Sequence, residues 1–224
     1  MQTSDKISSS RFGQTGFGQT GFGQIIILNG TPRSGKSSIA AAIQETFSGV
    51  WLNMGVDNFM AMTPKKYRPG IGLRPGGERP DLEEKIGRFY RAMYDSIAAH
   101  SRLGLNVVVD VGHHDVYSQP RGILPACARR LLGLPAIFVG VRCPLDVILA
   151  RREQTGWHSG KPSEQLLRSV RLWQEAVHQP GVYDLEVDTS RHSPESSATV
   201  IGAYLKAGSP ITAFQQLAAM APDV

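Results

Sequence analysis

The chain has 224 residues, 41% of them hydrophobic and 19% charged, with a formal net charge of +5 and a sequence pI near 9.4. These values exclude a disordered polypeptide and suit one globular α/β domain, while the two cysteines, Cys127 and Cys143, have no CxxC spacing and exclude a disulfide scaffold. No run approaches the roughly 18 apolar residues of a membrane span, and the N-terminus lacks an apolar signal core, so a cytoplasmic protein with reduced thiols is expected.

Residues 1–24 differ from the rest. Phe12-Gly13-Gln14-Thr15-Gly16 recurs as Phe17-Gly18-Gln19-Thr20-Gly21 and, truncated, as Phe22-Gly23-Gln24. A glycine-rich repeat of this kind cannot bury a core and reads as a flexible extension. A single domain is expected over residues 25–224.

The first strand is the apolar run Ile25 to Asn29. It leads into Gly30-Thr31-Pro32-Arg33-Ser34-Gly35-Lys36-Ser37, the G-x-x-x-x-G-K-[ST] phosphate loop, and a helical pattern follows through Ser38 to Thr46. In that setting the loop amides, Gly30 to Ser38, can cradle a polyphosphate, Lys36 can reach its β- and γ-phosphates, and the Ser37 hydroxyl can ligate Mg²⁺. Gly30 and Gly35 suit a loop wrapped on an anion, which needs positive φ and no Cβ in the way. ATP or GTP binding follows.

A short second strand, Val50 to Met54, ends at Gly55-Val56-Asp57. Two roles stand open for Asp57: accepting a proton from an attacking hydroxyl, or capping a helix that begins at Asn58. The Gly-, Pro- and Arg-rich segment from Pro64 to Pro80 reads as a long structureless loop, either functional or disordered. Asp81-Leu82-Glu83-Glu84 then opens a long helix with apolar residues at Ile86, Phe89, Tyr90, Met93, Tyr94 and Ile97, a 3.6-residue period.

The third strand, Asn106 to Asp110, places Asp110 where an acidic residue holds Mg²⁺ directly or through water. Gly112-His113-His114-Asp115 follows, a spacing that matches no standard zinc motif; His113 or His114 is a candidate lining for an acceptor pocket. The fourth strand is Ala136 to Val141. Arg151 and Arg152 end the next helix, where they either neutralise transferred phosphate or sit as solvated cations at a helix C-terminus. The Gly- and Ser-containing stretch after them, Glu153 to Lys161, reads as a mobile lid. A fifth strand, Tyr183 to Asp188, is followed by helix starts at Ser193-Pro194 and Ser209-Pro210. Strand–helix alternation with unbroken apolar strands gives a five-stranded parallel sheet flanked by helices, with ligands at the carboxyl ends of the strands.

Ile26-Ile27-Leu28-Asn29-Gly30 through Lys36-Ser37, Gly55-Val56-Asp57, Val139-Gly140-Val141-Arg142-Cys143, and Val177-His178 followed by Tyr183-Asp184-Leu185-Glu186-Val187-Asp188-Thr189 stand in this order. Together they resemble the chloramphenicol phosphotransferase family over nearly all of residues 25–205. The resemblance implies a P-loop kinase fold like that of shikimate kinase and adenylate kinase, and ATP-dependent phosphorylation of a small-molecule hydroxyl. It also implies that Asp57 is the general base, that Lys36 contacts phosphate and that Ser37 ligates Mg²⁺. Arg152-Glu153 matches the start of the family's Arg-Glu-x-x-Arg-Gly-Asp-Arg lid. The later Arg-Gly-Asp-Arg is replaced by Thr155 to Gly160, leaving Lys161, Arg168 or another closure in its place.

The expected function is therefore O-phosphorylation of a small hydroxylated molecule, with chloramphenicol or a related antibiotic as one candidate acceptor. The rivals are a P-loop ATPase switch acting on a protein partner, and a kinase of nucleotides or nucleic-acid ends. The scattered basic residues argue against nucleic acid, and oligomeric state is not legible.

Overall fold

In a computed structural model, described over residues 21–76, 79–156 and 162–220, five strands form one parallel sheet in the order β2-β3-β1-β4-β5. They are β1 (Ile25–Asn29), β2 (Trp51–Asn53), β3 (Asn106–Val111), β4 (Ala136–Arg142) and β5 (Leu185–Asp188). The helices are α1 (Lys36–Thr46), α2 (Val56–Ala61), α3 (Pro80–Arg102), α4 (Ile123–Ala128), α5 (Leu145–Gln154), α6 (Glu164–Val177), α7 (Pro194–Lys206) and α8 (Ala213–Ala219). The expected α/β architecture is present, and every strand boundary falls within two residues of its sequence reading. Most of the 1–24 extension lies outside the described residues.

β1 is central, with all five residues buried. Its alternation sends Ile25 and Ile27, with Val107, Val109 and Phe138, into a core under α3, α4 and α8. Ile26 and Leu28 face the other way with Val108, Ile137 and Val139, toward α1 and α7. A strand covered on both faces shows no polar alternation in sequence, hence the continuous Ile-Ile-Ile-Leu run.

The ends of the elements explain where sequence signals hold and where they fail. Ser193 caps α7, its hydroxyl accepting from the Ser196 amide, with Pro194 in the first turn. The Ser209-Pro210 signal does not open α8, which starts at Ala213. The Pro210 carbonyl accepts the Tyr204 hydroxyl at 2.7 Å. The Asp184 carboxylate instead takes the Thr212 and Ala213 amides at 2.8 and 3.0 Å and reaches the Phe138 amide with its other oxygen. A remote carboxylate thus supplies the N-terminal partners that a local cap would otherwise give.

The segment from Pro64 to Gly76 is not structureless. It contains 3₁₀ turns at Lys65–Tyr67 and Gly70–Gly72, and Ile71 and Leu73 are buried against α3. Gly77 and Glu78 lie outside the described residues.

Glu83, fully buried in the first turn of α3, binds Ser118 through amide and hydroxyl and receives Arg121 Nη2 at 3.0 Å. Burial pushes this carboxyl up, but Ser118 and Arg121 outweigh it and hold the acid below its usual range. Its stabilisation is therefore present above the ordinary carboxylate range and is lost as pH falls through the depressed value. Glu83→Ala is expected to cost about 3 kcal/mol in urea unfolding, the low end for breaking a buried pair, because Arg121 keeps some solvent contact. An unchanged unfolding midpoint would exclude Glu83 as the anchor of the 115–122 loop.

Candidate active site

The carboxyl ends of the strands surround one cavity of about 880 Å³. The phosphate loop forms one wall. Gly35 sits at φ 95° as the N-cap of α1, without a side-chain cap, and no acidic residue occupies the first turn of that helix. Orphan amides and the positive end of the dipole are thus left available to an anion. Gly30 differs from its sequence expectation. Its φ is not positive; it is needed because a Cβ there would press into the Val141 carbonyl and Ser34 Oγ. Arg33, not a second glycine, carries the other positive φ in the loop, at 72°.

Pro32, Arg33, Gly35, Lys36, Ser37 and Ser38 line the cavity beside Gly30. Thr31 and Ser34 do not; both are buried behind the loop and hold its shape. The Thr31 carbonyl accepts the Ser34 amide and, at 2.9 Å, Lys36 Nζ. Burial lowers the Lys36 pKa to about 8, against the opposing pull of Asp110 and then Asp57.

Ser37 and Asp110 meet across the β1–β3 pair. Ser37 Oγ donates to Asp110 Oδ2 at 2.6 Å, and β3 reaches this point because Leu28 pairs with Asp110 in parallel register. A hydroxyl and a carboxylate in contact at the loop mouth are hard oxygen donors of the kind Mg²⁺ accepts. Gly55 is the counterpart of this pair, since a Cβ there would collide with Asp110 Oδ1. Gly55→Ala is expected to displace the carboxylate and raise the Mg²⁺ concentration needed for half-maximal activity by about tenfold or more. An unaltered Mg²⁺ titration would remove Asp110 from the metal site.

Asp57 lines the same cavity, near enough for its charge to act on Lys36. The capping alternative is overturned: Gly55 is the N-cap of α2, and Asp57 is inside the first turn. Its carboxylate makes no hydrogen bond among the described residues and is exposed to the cavity. Val56, Met60, Ile71, Leu73 and Trp173 give this side an apolar lining.

Neither Arg151 nor Arg152 is a solvated helix end. Arg151 is tied by Nη2 to the Thr189 carbonyl at 2.8 Å, and by Nη1 to Thr189 Oγ1 at 3.0 Å and the Arg33 carbonyl at 3.4 Å. The Thr189 hydroxyl in turn donates to the Ser34 carbonyl at 2.7 Å. Arg151 therefore braces the back of the loop from α5 and the end of β5. Arg152 is 8% exposed, and burial, followed by the nearby Arg74 and Arg33 guanidiniums, lowers its hold on its proton. Trp157 to Lys161, most of the expected lid, lie outside the described residues. Arg168 is exposed on α6 and does not line the cavity.

His113 and His114 do not line the cavity either, and no group of three or more His, Cys, Asp or Glu placed to hold a metal occurs among the described residues. His113 is buried against Tyr90 and shares a 2.8 Å hydrogen bond with Tyr94. Burial, then His114, pulls its pKa to about 3, so the ring stays neutral. His114 Nε2 donates to the Leu73 carbonyl at 2.9 Å, fastening the acceptor-side segment to the end of β3.

Sequence reasoning assigned no role to Thr189, Trp173, Arg74 or Asn29. The buried Asn29 ends β1, donates to the Val177 carbonyl at 2.8 Å and the Tyr183 hydroxyl at 2.9 Å, and accepts the His113 amide. An Asn closing an apolar strand was the available signal.

A parallel sheet of this order, a phosphate loop on its first strand and a free carboxylate lining the same cavity define a P-loop small-molecule kinase. The model of the chloramphenicol phosphotransferase-like family matches residues 23–206, and the chain belongs to that family. It is 28% identical over 187 residues, 75% of each chain, to a Mycobacterium tuberculosis protein described as "Putative O-phosphotransferase Rv2636". Shikimate kinase from Acinetobacter baumannii, solved with shikimate, superposes with a TM-score of 0.56 at 13% identity, covering 83% of this chain and 94% of that one. The APS kinase of Mycobacterium tuberculosis, solved with AMPPNP and APS, gives 0.55 at 17% identity, covering 83% and 98%. The family is one of O-phosphotransferases, and its P-loop kinase fold implies ATP as donor. No helix among the described residues is long and apolar enough to cross a membrane.

Proposed function

We propose that the protein is a Mg²⁺- and ATP-dependent O-phosphotransferase acting on a hydroxyl of a small molecule. The observation that carries this reading is one cavity lined by the phosphate loop, the Ser37–Asp110 pair and the unengaged Asp57 carboxylate together. Asp57 orients the acceptor hydroxyl and takes its proton as the oxygen attacks the γ-phosphorus. The loop amides and Lys36 hold the phosphates and stabilise charge on the transferred group. Ser37 and Asp110 hold Mg²⁺, which when bound neutralises the phosphate oxygens. Arg151 acts through the loop, keeping Arg33 to Gly35 in place, while the buried Arg152 sets a positive potential at the cavity edge. Structural neighbours that bind small hydroxylated substrates, shikimate among them, support the substrate class.

The test is an ADP-release screen over hydroxylated metabolites and antibiotics, chloramphenicol included, with Asp57→Asn as the blank. Acceptor-dependent ADP release with a phosphorylated product by mass spectrometry is expected. ADP release that no small alcohol stimulates and that responds only to a protein partner would replace this reading with that of an ATPase switch.

A further inference from the structure

The cavity's acceptor half has a cation that the donor half does not use. Six cationic side chains, Arg33, Lys36, Arg74, Arg79, Arg151 and Arg152, line the cavity against the two carboxylates Asp57 and Asp110. Arg79 is satisfied by both oxygens of Asp81, at 2.9 and 2.8 Å, and Arg151 is committed to Thr189 and the loop. Arg33 and Lys36 belong to the phosphate loop. Arg152 is buried at the cavity edge, with the Arg74 and Arg33 charges beside it. Arg74 is left, exposed and with no hydrogen bond or ion pair among the described residues.

Its backbone is held on both sides. Leu73 is buried, and its carbonyl accepts His114 Nε2 at 2.9 Å; Pro75 is buried, and the Gly76 amide donates to the Val116 carbonyl at 2.9 Å. With its backbone fixed, only the side chain has to order on meeting a planar oxyanion, to which the guanidinium presents a two-pronged donor. Next to it are the apolar surfaces of Ile71, Leu73 and Trp173. The buried His114 has its explanation here: it pins the strand of wall that carries Arg74.

We propose that the acceptor is an alcohol bearing its own oxyanion, with an apolar body against Trp173 and Leu73 and the charged group bound by Arg74. This rests on the phosphotransferase reading and narrows it: a neutral antibiotic such as chloramphenicol lacks the group that Arg74 binds.

The test uses the full chain saturated with Mg²⁺ and AMP-PNP, so that the donor half is filled, and measures binding of matched pairs by calorimetry. The pairs are aliphatic, cyclic and aromatic hydroxy acids against their amides, and glycerol 3-phosphate against glycerol; the two kinds of pair separate carboxylate from phosphate recognition. At least one anion is expected to bind about ten- to a hundredfold more tightly than its neutral partner, and Arg74→Gln is expected to abolish that preference while AMP-PNP binding persists. The inference is overturned if neutral partners bind as well as the anions, if no anion binds, or if the preference survives Arg74→Gln. It falls too if Arg74→Gln weakens AMP-PNP and leaves the preference intact, since the guanidinium then serves the donor. Failure of wild-type chain to bind AMP-PNP at all would instead sink the phosphotransferase reading itself.

Discussion

Asp57→Asn is expected to lower kcat by about a hundred- to ten-thousandfold, the range for removing a positioned general base, with the affinity for Mg²⁺–ATP changed little. The prediction follows from where the carboxylate stands. It is inside the first turn of α2 and does not cap that helix, so removing its charge leaves the helix amides with the partners they had. It lines the cavity together with the phosphate loop, and no hydrogen bond among the described residues engages it. Asn keeps the size and one acceptor oxygen but cannot take a proton. The loss should therefore appear in kcat, with the acceptor KM moving less. The small fall in the Lys36 pKa that follows loss of the Asp57 charge cannot mimic this, because Asp57 is the weaker of the two carboxylates that raise it. Single-turnover rates with the identified acceptor provide the measurement, and an Asn variant of wild-type rate would remove Asp57 from the chemistry.

The donor half of the cavity was legible because it is local. One segment of chain, Ile25 to Thr46, carries the strand, the loop and the helix, although Asp110, Val141 and Thr189 complete the geometry from far along the chain. The acceptor half and the bracing behind the loop are built by contacts between distant residues, which periodicity cannot reveal. His114 reads as a pocket residue until its bond to Leu73, 41 positions away, places it in the scaffold. Arg151 reads equally as a catalytic cation or a solvated helix end until Thr189, 38 positions on, captures it. The false start at Ser209-Pro210 has the same origin: Asp184 takes the amides of Thr212 and Ala213 and moves the start of α8. The Gly-Val-Asp segment is the exception on this side. Its local reading left Asp57 between base and cap, the family resemblance favoured the base, and the geometry of α2 removes the cap.

Lys36→Ala is expected to damage both binding and turnover. A charge-assisted contact to phosphate contributes about 1.5–3 kcal/mol, so AMP-PNP should bind about ten- to a hundredfold more weakly. The rate should fall further, by about a hundred- to a thousandfold, because charge on the transferred phosphoryl group grows in the transition state. The pH profile of the wild type separates this role from mere loop packing. Burial lowers the Lys36 pKa to about 8 in the free enzyme, so AMP-PNP affinity should decline as pH rises through 8, by about tenfold per unit well above it. Stability moves in the opposite sense. The folded pKa lies below the ordinary lysine value of 10.5, so between pH 8 and 10.5 the unfolded chain holds the extra proton, and this group makes the fold more stable as pH rises. Weaker nucleotide binding at high pH therefore cannot be unfolding caused by Lys36. Lys36→Ala should flatten the affinity profile, and Lys36→Arg, which stays charged, should carry its residual affinity to higher pH. A wild-type profile already flat from pH 7 to 10 would mean that the ammonium does not hold the phosphates.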